Sequence, residues 1–369
     1  MRYNFDMSVF KGVKIIDLTR VFSGPFATRH FADYGANVIK IEPPNGDDAR
    51  YFPPLVNGWS GYFEQLNRNK KSLFLDLKSK PDLNRLYRLV KKADVFVENF
   101  SPVVKKKLKI DYNTIRKINP KIIYASVNGI SESVNRKYYD VIAQAESGLV
   151  SLNGEDGDLK ISTSVVDAFS GLKLAFAIAA ALFYRLKTGN GQKLSVSMKG
   201  SAFDLLEQNL VEYSVTKVNP PKVGNMDNAV FPFGIFKTKD GSIALAVGNN
   251  DIWVRLSAFL KKENASFDLS NYSTNVDRIK NYKLLRDYIE SIFSNFESSK
   301  LVKILNELGI PVGKVNRMQD VYQDDENYSE KLLRKVNIES VGEVVVSNGG
   351  ISFSSDKSKK YIPAPILKR

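Results

Sequence analysis

Short apolar runs alternate with segments that carry helix signals through the first 200 residues. Val13–Leu18, Asn37–Glu42 (NVIKIE), Ser72–Leu77 (SLFLDL), Asp94–Asn99 (DVFVEN) and Lys121–Val127 (KIIYASV) have the length and apolar content of buried strands. Phe26–Tyr34 predicts a helix closed by Gly35, which suits a left-handed C-terminal cap. Pro81–Ala93 predicts another, opened by proline and ended by Lys91 and Lys92, whose charges complement the helix dipole. Val103–Leu108 and Tyr112–Ile118 follow, the second broken by Asn119–Pro120. After the turn Gly189–Asn190–Gly191, Lys193–Met198 (KLSVSM) alternates as a half-buried strand does. This order predicts an α/β fold with a Rossmann-like, mostly parallel sheet covered on both faces.

One run breaks the rhythm. Leu172–Leu186 (LKLAFAIAAALFYRL) shows almost no polar face before Tyr184 and Arg185, which predicts a helix buried all round. At about 15 residues it falls short of the roughly 20 needed to cross a bilayer. Ser164–Gly171 (SVVDAFSG) leads into it and places Asp167 at its mouth. The simplest role for such an aspartate is N-capping. A carboxylate in the positive potential of a helix N-terminus also stays ionised, which suits a nucleophile.

Beyond the Pro/Gly/Asn-rich linker Val218–Asn228 the pattern changes. Gly234–Lys237 and Ser242–Val247 read as strands around the turn Lys239–Asp240–Gly241. Ile252–Leu260 and Tyr282–Phe296 read as amphipathic helices, Pro311–Val315 as an extended run, and Gln319–Asn327 as an acidic loop. The expected organisation is a large α/β domain over 1–217 and a smaller α+β domain over 225–325. A C-terminal segment, 330–369, returns to the first domain with the strand-like runs GEVVVS and GISF.

Composition narrows the chemistry. The 369 residues contain no cysteine, which excludes disulfides, thiolate metal sites and a cysteine nucleophile. The single histidine, His30, leaves little for a histidine metal site, so no metal is expected. The net charge of +14 fits an anionic partner or simply a lysine-rich surface. No nucleic-acid recognition motif, secretory segment or membrane-length apolar span stands out, so a cytoplasmic protein without nucleic-acid or membrane partners is expected. The first turn of the βαβ unit, TRVFSGPFA, holds one glycine, and without G-x-G-x-x-G no NAD site is expected.

The segments GVKIIDLTRVFSGPFATRHFADYGANVIKIEPP, NRNKKSLFLDLK, ADVFVENFSP, INPKIIYASVNG, YDVIAQAESG, VVDAFSGLKLAFAIAAAL and KTGNGQKLSVSM follow one another in unbroken order. Together they resemble the class III CoA-transferase family, also called CaiB–BaiF, over most of residues 11 to 260. The resemblance implies an interlocked homodimer that moves CoA from an acyl-CoA thioester to a small carboxylic acid, with acyl-CoA as substrate. It places Asp167 at the family's nucleophilic aspartate. It implies CoA contacts at Phe22 and Ser23, at Leu75, Asp76, Leu77 and Lys78, at Asn99, Phe100 and Ser101, at Lys107, and at Lys137, Tyr138, Tyr139 and Asp140. The substrate loop corresponds to Gly248, Asn249 and Asn250. Pro43 stands where some members carry an arginine at the adenine end.

Two alternatives share these segments. An α-methylacyl-CoA racemase-like isomerase would need a histidine where Tyr139 stands, and a phenol is a poor base at neutral pH. A non-catalytic CoA-binding protein would have no need for Asp167.

Overall fold

Residues 8–155, 157–354 and 361–367 are described by the computed structural model. Six parallel strands make one sheet: β1 Lys14–Asp17, β2 Asn37–Glu42, β3 Lys71–Phe74, β4 Val95–Glu98, β5 Ile123–Asn128 and β6 Lys193–Ser197. Their order across the sheet is β3-β2-β1-β4-β5-β6, and every neighbouring pair is parallel. This is the doubly wound Rossmann order, in which the winding of successive strands reverses between β1 and β4 and opens a crevice at their carboxyl ends.

Helices intervene between the strands: Tyr112–Ile118 has the predicted bounds, the other predicted helices have shifted ends, and Gly61–Asn67, Asp140–Ser147 and Met198–Leu205 are helices the sequence pattern does not announce. In chain order the helices are α1 Ser23–Asp33, α2 Gly61–Asn67, α3 Lys80–Val90, α4 Pro102–Lys107, α5 Tyr112–Ile118, α6 Asp140–Ser147, α7 Val165–Thr188 and α8 Met198–Leu205. Ile16, Leu18, Ile41, Leu75 and Phe96 from the sheet region pack with Leu86 and Val90 of α3 and Ile115 of α5 in a continuous core. Strand β3 ends at Phe74, short of Leu77. The Asp76 carboxylate takes the Lys78 N–H at 3.0 Å and turns the chain there.

Helix α7 departs from expectation twice. It is 24 residues long, enough by length and composition to cross a bilayer, whereas the apolar run alone suggests a shorter element. It is also buried on one face only. Val166, Leu174, Ile178 and Leu182 are buried, and the helix packs against α1, β5 and α8. Leu172, Phe176, Phe183 and Leu186 are exposed, Phe176 at 76% and Leu186 at 84%. An apolar circumference does not distinguish core from uncovered apolar surface, and here half of it is the latter.

The chain divides into two compact units, one of residues 1–149, 161–207 and 325–369 and one of residues 150–160 and 208–324. In the second unit, β7 Phe233–Lys237, β8 Ser242–Ala246 and β9 Val312–Lys314 form an antiparallel sheet in the order β9-β8-β7. Helices α9 Asn250–Glu263, α10 Asn275–Lys280 and α11 Tyr282–Phe293 belong to the same unit. Phe236, Ile243 and Leu245 share a core with Trp253, Leu256, Ile289 and Phe293.

The C-terminal part of the first unit holds one antiparallel hairpin, β10 Leu333–Ile338 with β11 Gly342–Ser347. Two expectations fail nearby. The acidic stretch 319–327 lies largely in two short helices, Met318–Gln323 and Asp325–Ser329, the first supported by Asp320 accepting the Arg317 N–H at 2.8 Å. GISF does not form a strand, and β11 stops before Gly349 and Gly350, both of positive φ. The tail docks on the large unit through Asn69, which exchanges hydrogen bonds with Ile362.

Candidate active site

The loop from Leu18 to Phe22 leaves β1 at the switch point and is held from three sides. Lys40, fully buried in β2, lies 2.8 Å from the Asp47 carboxylate and donates to the Thr19 carbonyl at 2.7 Å. Asp47 accepts the N–H groups of Val21 and Ala49 at 3.2 and 3.0 Å. Burial raises Asp47, but Lys40 beside it outweighs this and holds the carboxyl below its usual range. Asn99, just past β4, closes the third side: its amide donates to the Arg20 carbonyl at 2.9 Å and accepts the Arg20 N–H at 3.0 Å. The clamp forces Val21 to φ +64°, a region that costs a β-branched residue on the order of 1–3 kcal/mol. Backbone strain of this kind accumulates where a loop must present a group accurately.

The group presented is Ser23, at the start of α1. Its hydroxyl donates to Asp167 Oδ1. Helices α1 and α7 can approach this closely because Gly171 lies one turn beyond Asp167. A Cβ at Gly171 would fall 2.5 Å from the Ser23 carbonyl oxygen. The glycine is therefore a packing requirement of the site.

Asp167 does not cap its helix. It is the third residue of α7, and the first-turn donors are taken by Asp140, whose Oδ1 accepts the N–H groups of Val166 and Asp167 at 2.9 and 3.2 Å. The other oxygen of Asp140 accepts from Gln144 Nε2 at 2.6 Å. The Asp167 side chain is thus released from capping and half-buried. Burial pushes its carboxyl up to about 6; the Ser23 hydroxyl opposes this and the Asp140 charge adds to it. At neutral pH the group is still mostly ionised, but a stabilised anion at the helix N-terminus is not what the structure gives. Burial, with Asp167, Asp47 and Asp140, also pushes the Tyr62 phenol up to about 12, and its ring packs edge-on against Phe22 at 6.0 Å.

The remaining sequence-derived positions fall into groups. Leu75 is buried in the core, its N–H donating to the Glu42 carbonyl at 2.8 Å; Asp76 is exposed in the turn. Leu77, Lys78 and Lys107 line one recess of about 620 Å³ together with Lys80, Tyr87 and Lys109. Phe100 lies beneath the Arg20 guanidinium at 5.4 Å, and its N–H is accepted by Glu98 at 2.8 Å. Glu98 is in turn paired with buried Lys105 at 3.0 Å. Ser101 is the N-cap residue of α4. Lys137 and Tyr139 are exposed on the loop into α6, while Tyr138 donates to Glu146 at 3.2 Å. Asp140 is buried, and its carboxylate oxygens accept from the first turn of α7 and from Gln144. Gly248, Asn249 and Asn250 lie in the second unit at the start of α9, with Asn249 accepting the Ile252 N–H at 3.0 Å.

Sequence reading misses Lys40, Asp47, Arg20 and Tyr62. Only Lys40 leaves a signal, because a lysine inside the apolar run NVIKIE needs an acidic partner if that strand is buried.

The fold has counterparts among solved structures. The CaiB/BaiF family protein from Brucella suis superposes with a TM-score of 0.85 at 29% identity, over 97% of this chain and 96% of that one. The chain belongs to CoA-transferase family III, whose model matches residues 10–369, and class III CoA transfer is its activity. It is 34% identical over 368 residues to the succinyl-CoA:glutarate CoA-transferase of Mus musculus, covering 98% of this chain and 84% of that protein. It is 33% identical over 346 residues to the acetyl-CoA:oxalate CoA-transferase of Acetobacter aceti, covering 92% and 88%.

Proposed function

We propose that the protein transfers CoA from an acyl-CoA, succinyl-CoA being the first donor to try, to a small dicarboxylic acid through a covalent intermediate on Asp167. The observation that carries this reading is the release of Asp167 from capping: Asp140 takes the helix donors, and Ser23 holds one carboxylate oxygen from the side. Ionised Asp167 attacks the thioester carbonyl, breaks the C–S bond and forms a mixed anhydride with loss of CoA thiolate. The thiolate attacks the aspartyl carbonyl, releasing the donor's carboxylate and leaving an aspartyl-CoA thioester. The acceptor carboxylate opens this thioester to a second anhydride, and the thiolate then takes the acceptor's acyl group and frees Asp167. One thioester replaces another, so the exchange is near thermoneutral and consumes no ATP.

Half-burial serves this chemistry. It raises the carboxylate's basicity, hence its nucleophilicity, while keeping it mostly ionised at neutral pH. It also limits the water that would hydrolyse the anhydride. The lysines of the 620 Å³ recess supply positive charge for the 3′-phosphate and diphosphate of CoA. The acceptor class follows from the relatives, which are named for glutarate and oxalate. The exposed apolar face of α7 supports the homodimer reading, since Leu172, Phe176, Phe183 and Leu186 would be covered by a second copy.

The test is to incubate the enzyme with succinyl-CoA and glutarate, oxalate or mesaconate and to identify the CoA products by mass spectrometry. A parallel sample quenched with hydroxylamine should carry a hydroxamate on the Asp167 peptide. Transfer without any such adduct would remove the covalent reading.

A further inference from the structure

Lys70 stands just before β3 with its side chain fully buried, and no step of the transfer uses it. Its ammonium has three N–H groups, and three oxygens from three elements take them, each at 3.0 Å. These are Asp17 Oδ2 at the end of β1, Asn67 Oδ1 at the end of α2 and the Pro25 carbonyl in the first turn of α1. Asp17 is equally buried. Its Oδ2 also accepts the Thr28 hydroxyl of α1 at 2.6 Å, and its Oδ1 accepts the N–H of Thr19 at 2.9 Å together with that residue's hydroxyl. Burial raises the Asp17 carboxyl, but Lys70 and Lys40 outweigh it and hold the group down at about 2. Burial pushes Lys70 down to about 8 against the pull of Asp17, so it keeps its third proton at neutral pH.

A buried ion pair is a poor source of net stability, since apolar residues of the same volume often do as well or better. What it fixes is the relative placement of the elements it joins. Here Lys70 bonds the Pro25 carbonyl and Asp17 bonds Thr28, so both tie down the start of the helix that begins with Ser23. Thr19, held by Asp17, presses on the same turn, because a Cβ at Gly24 would strike its side chain. Ser23 in turn donates to Asp167 Oδ1. The path from Lys70 to the reacting carboxylate therefore runs through one hydrogen bond, the turn from Pro25 back to Ser23, and a second hydrogen bond, all within the first unit.

We propose that the Lys70–Asp17 pair is a positioning element for the transfer reaction, seating the first turn of α1 so that the Ser23 hydroxyl meets Asp167. This rests on the reading of Asp167 as nucleophile and deepens it, since it names what aims the hydroxyl that holds the carboxylate. Because that hydroxyl favours the ionised form, a displaced turn costs the nucleophile both its orientation and part of its charge.

The experiment is the pH profile of kcat/KM with succinyl-CoA and the best acceptor among glutarate, oxalate and mesaconate. Lys70→Met and Thr28→Val are each made in the wild type and in Ser23→Ala. Lys70→Met keeps the apolar stem and removes the donors; Thr28→Val keeps the shape, changes no charge and cuts the tie to Asp17. In the wild-type background Lys70→Met should lower kcat about ten- to a hundredfold and Thr28→Val about threefold or more. The KM for succinyl-CoA should stay within about twofold. Both should move the acid limb up, in the direction Ser23→Ala moves it. In Ser23→Ala neither should move the limb further, because the contact they control is already gone. A limb that stays in place in both variants overturns the inference and leaves the pair a structural one. A limb that moves as far in Ser23→Ala as in the wild type overturns it too, since a lost charge acts on Asp167 without Ser23. If Lys70→Met does not fold, Thr28→Val in the two backgrounds decides. A wild type inactive with all three acids, or near-normal turnover in Asp167→Asn, overturns the functional reading instead, and the inference falls with it.

Discussion

Asp140 caps the helix that carries Asp167. Its Oδ1 accepts the Asp167 N–H at 3.2 Å across 27 residues of sequence, and the Val166 N–H at 2.9 Å. One aspartate thus takes helix donors that local sequence would assign to the other. Removing the cap should be expensive: Asp140→Ala loses two backbone acceptor contacts and the bond from Gln144, and should lower stability by about 2 kcal/mol. Urea melts of the variant check this, and a midpoint equal to wild type would show the cap to be dispensable.

Asp167→Asn should abolish transfer, because an amide cannot form the anhydride. It should also stabilise the protein. The folded carboxyl, raised to about 6 from 3.8, is penalised when ionised, so the wild type's stability relative to the variant is greatest below pH 4 and is lost as pH rises through about 6. The variant should therefore melt higher at pH 8, by an amount on the order of 1–3 kcal/mol, with no gain at pH 4. Thermal melts at the two pH values test the sign, and near-normal turnover would reduce Asp167 to a structural residue.

The acid limb of kcat/KM should follow Asp167 and fall below about pH 6. Ser23→Ala removes the hydroxyl that favours the ionised form, so the limb should move up by roughly half a unit to one unit. Asp140→Asn removes a nearby negative charge and should move it down. Opposite displacements in the two pH profiles are the expected result; a shared direction would mean that another group governs the limb.

Lys78→Ala and Lys107→Ala should each weaken CoA binding by roughly three- to tenfold, since both lysines are exposed and screened. Salt should weaken wild-type binding as well. Calorimetry with CoA and dephospho-CoA would distinguish phosphate contact from a solvated surface, for which neither substitution nor salt should matter.

The apolar face of α7 should be covered in solution. Light scattering at micromolar concentration should report a dimer, and Phe176→Lys, which charges the middle of that face, should shift it toward monomer. A monomeric wild type would refute the dimer.

The chain by itself determines the parallel sheet, because strands buried on both faces must be apolar and must be joined by helices. NVIKIE, DVFVEN and KIIYASV are legible for that reason. It also places Asp167 at the opening of a long apolar helix and brings the seven family segments into order. Tertiary structure alone decides what Asp167 does there. Capping is a local rule, and SVVDAFSG satisfies it with Asp167; only folding brings in Asp140, from another helix, to take those donors. The same holds for Ser23, whose contact depends on α1 and α7 meeting at Gly171. Local periodicity encodes which residues leave water, but not which polar groups meet once they have left it.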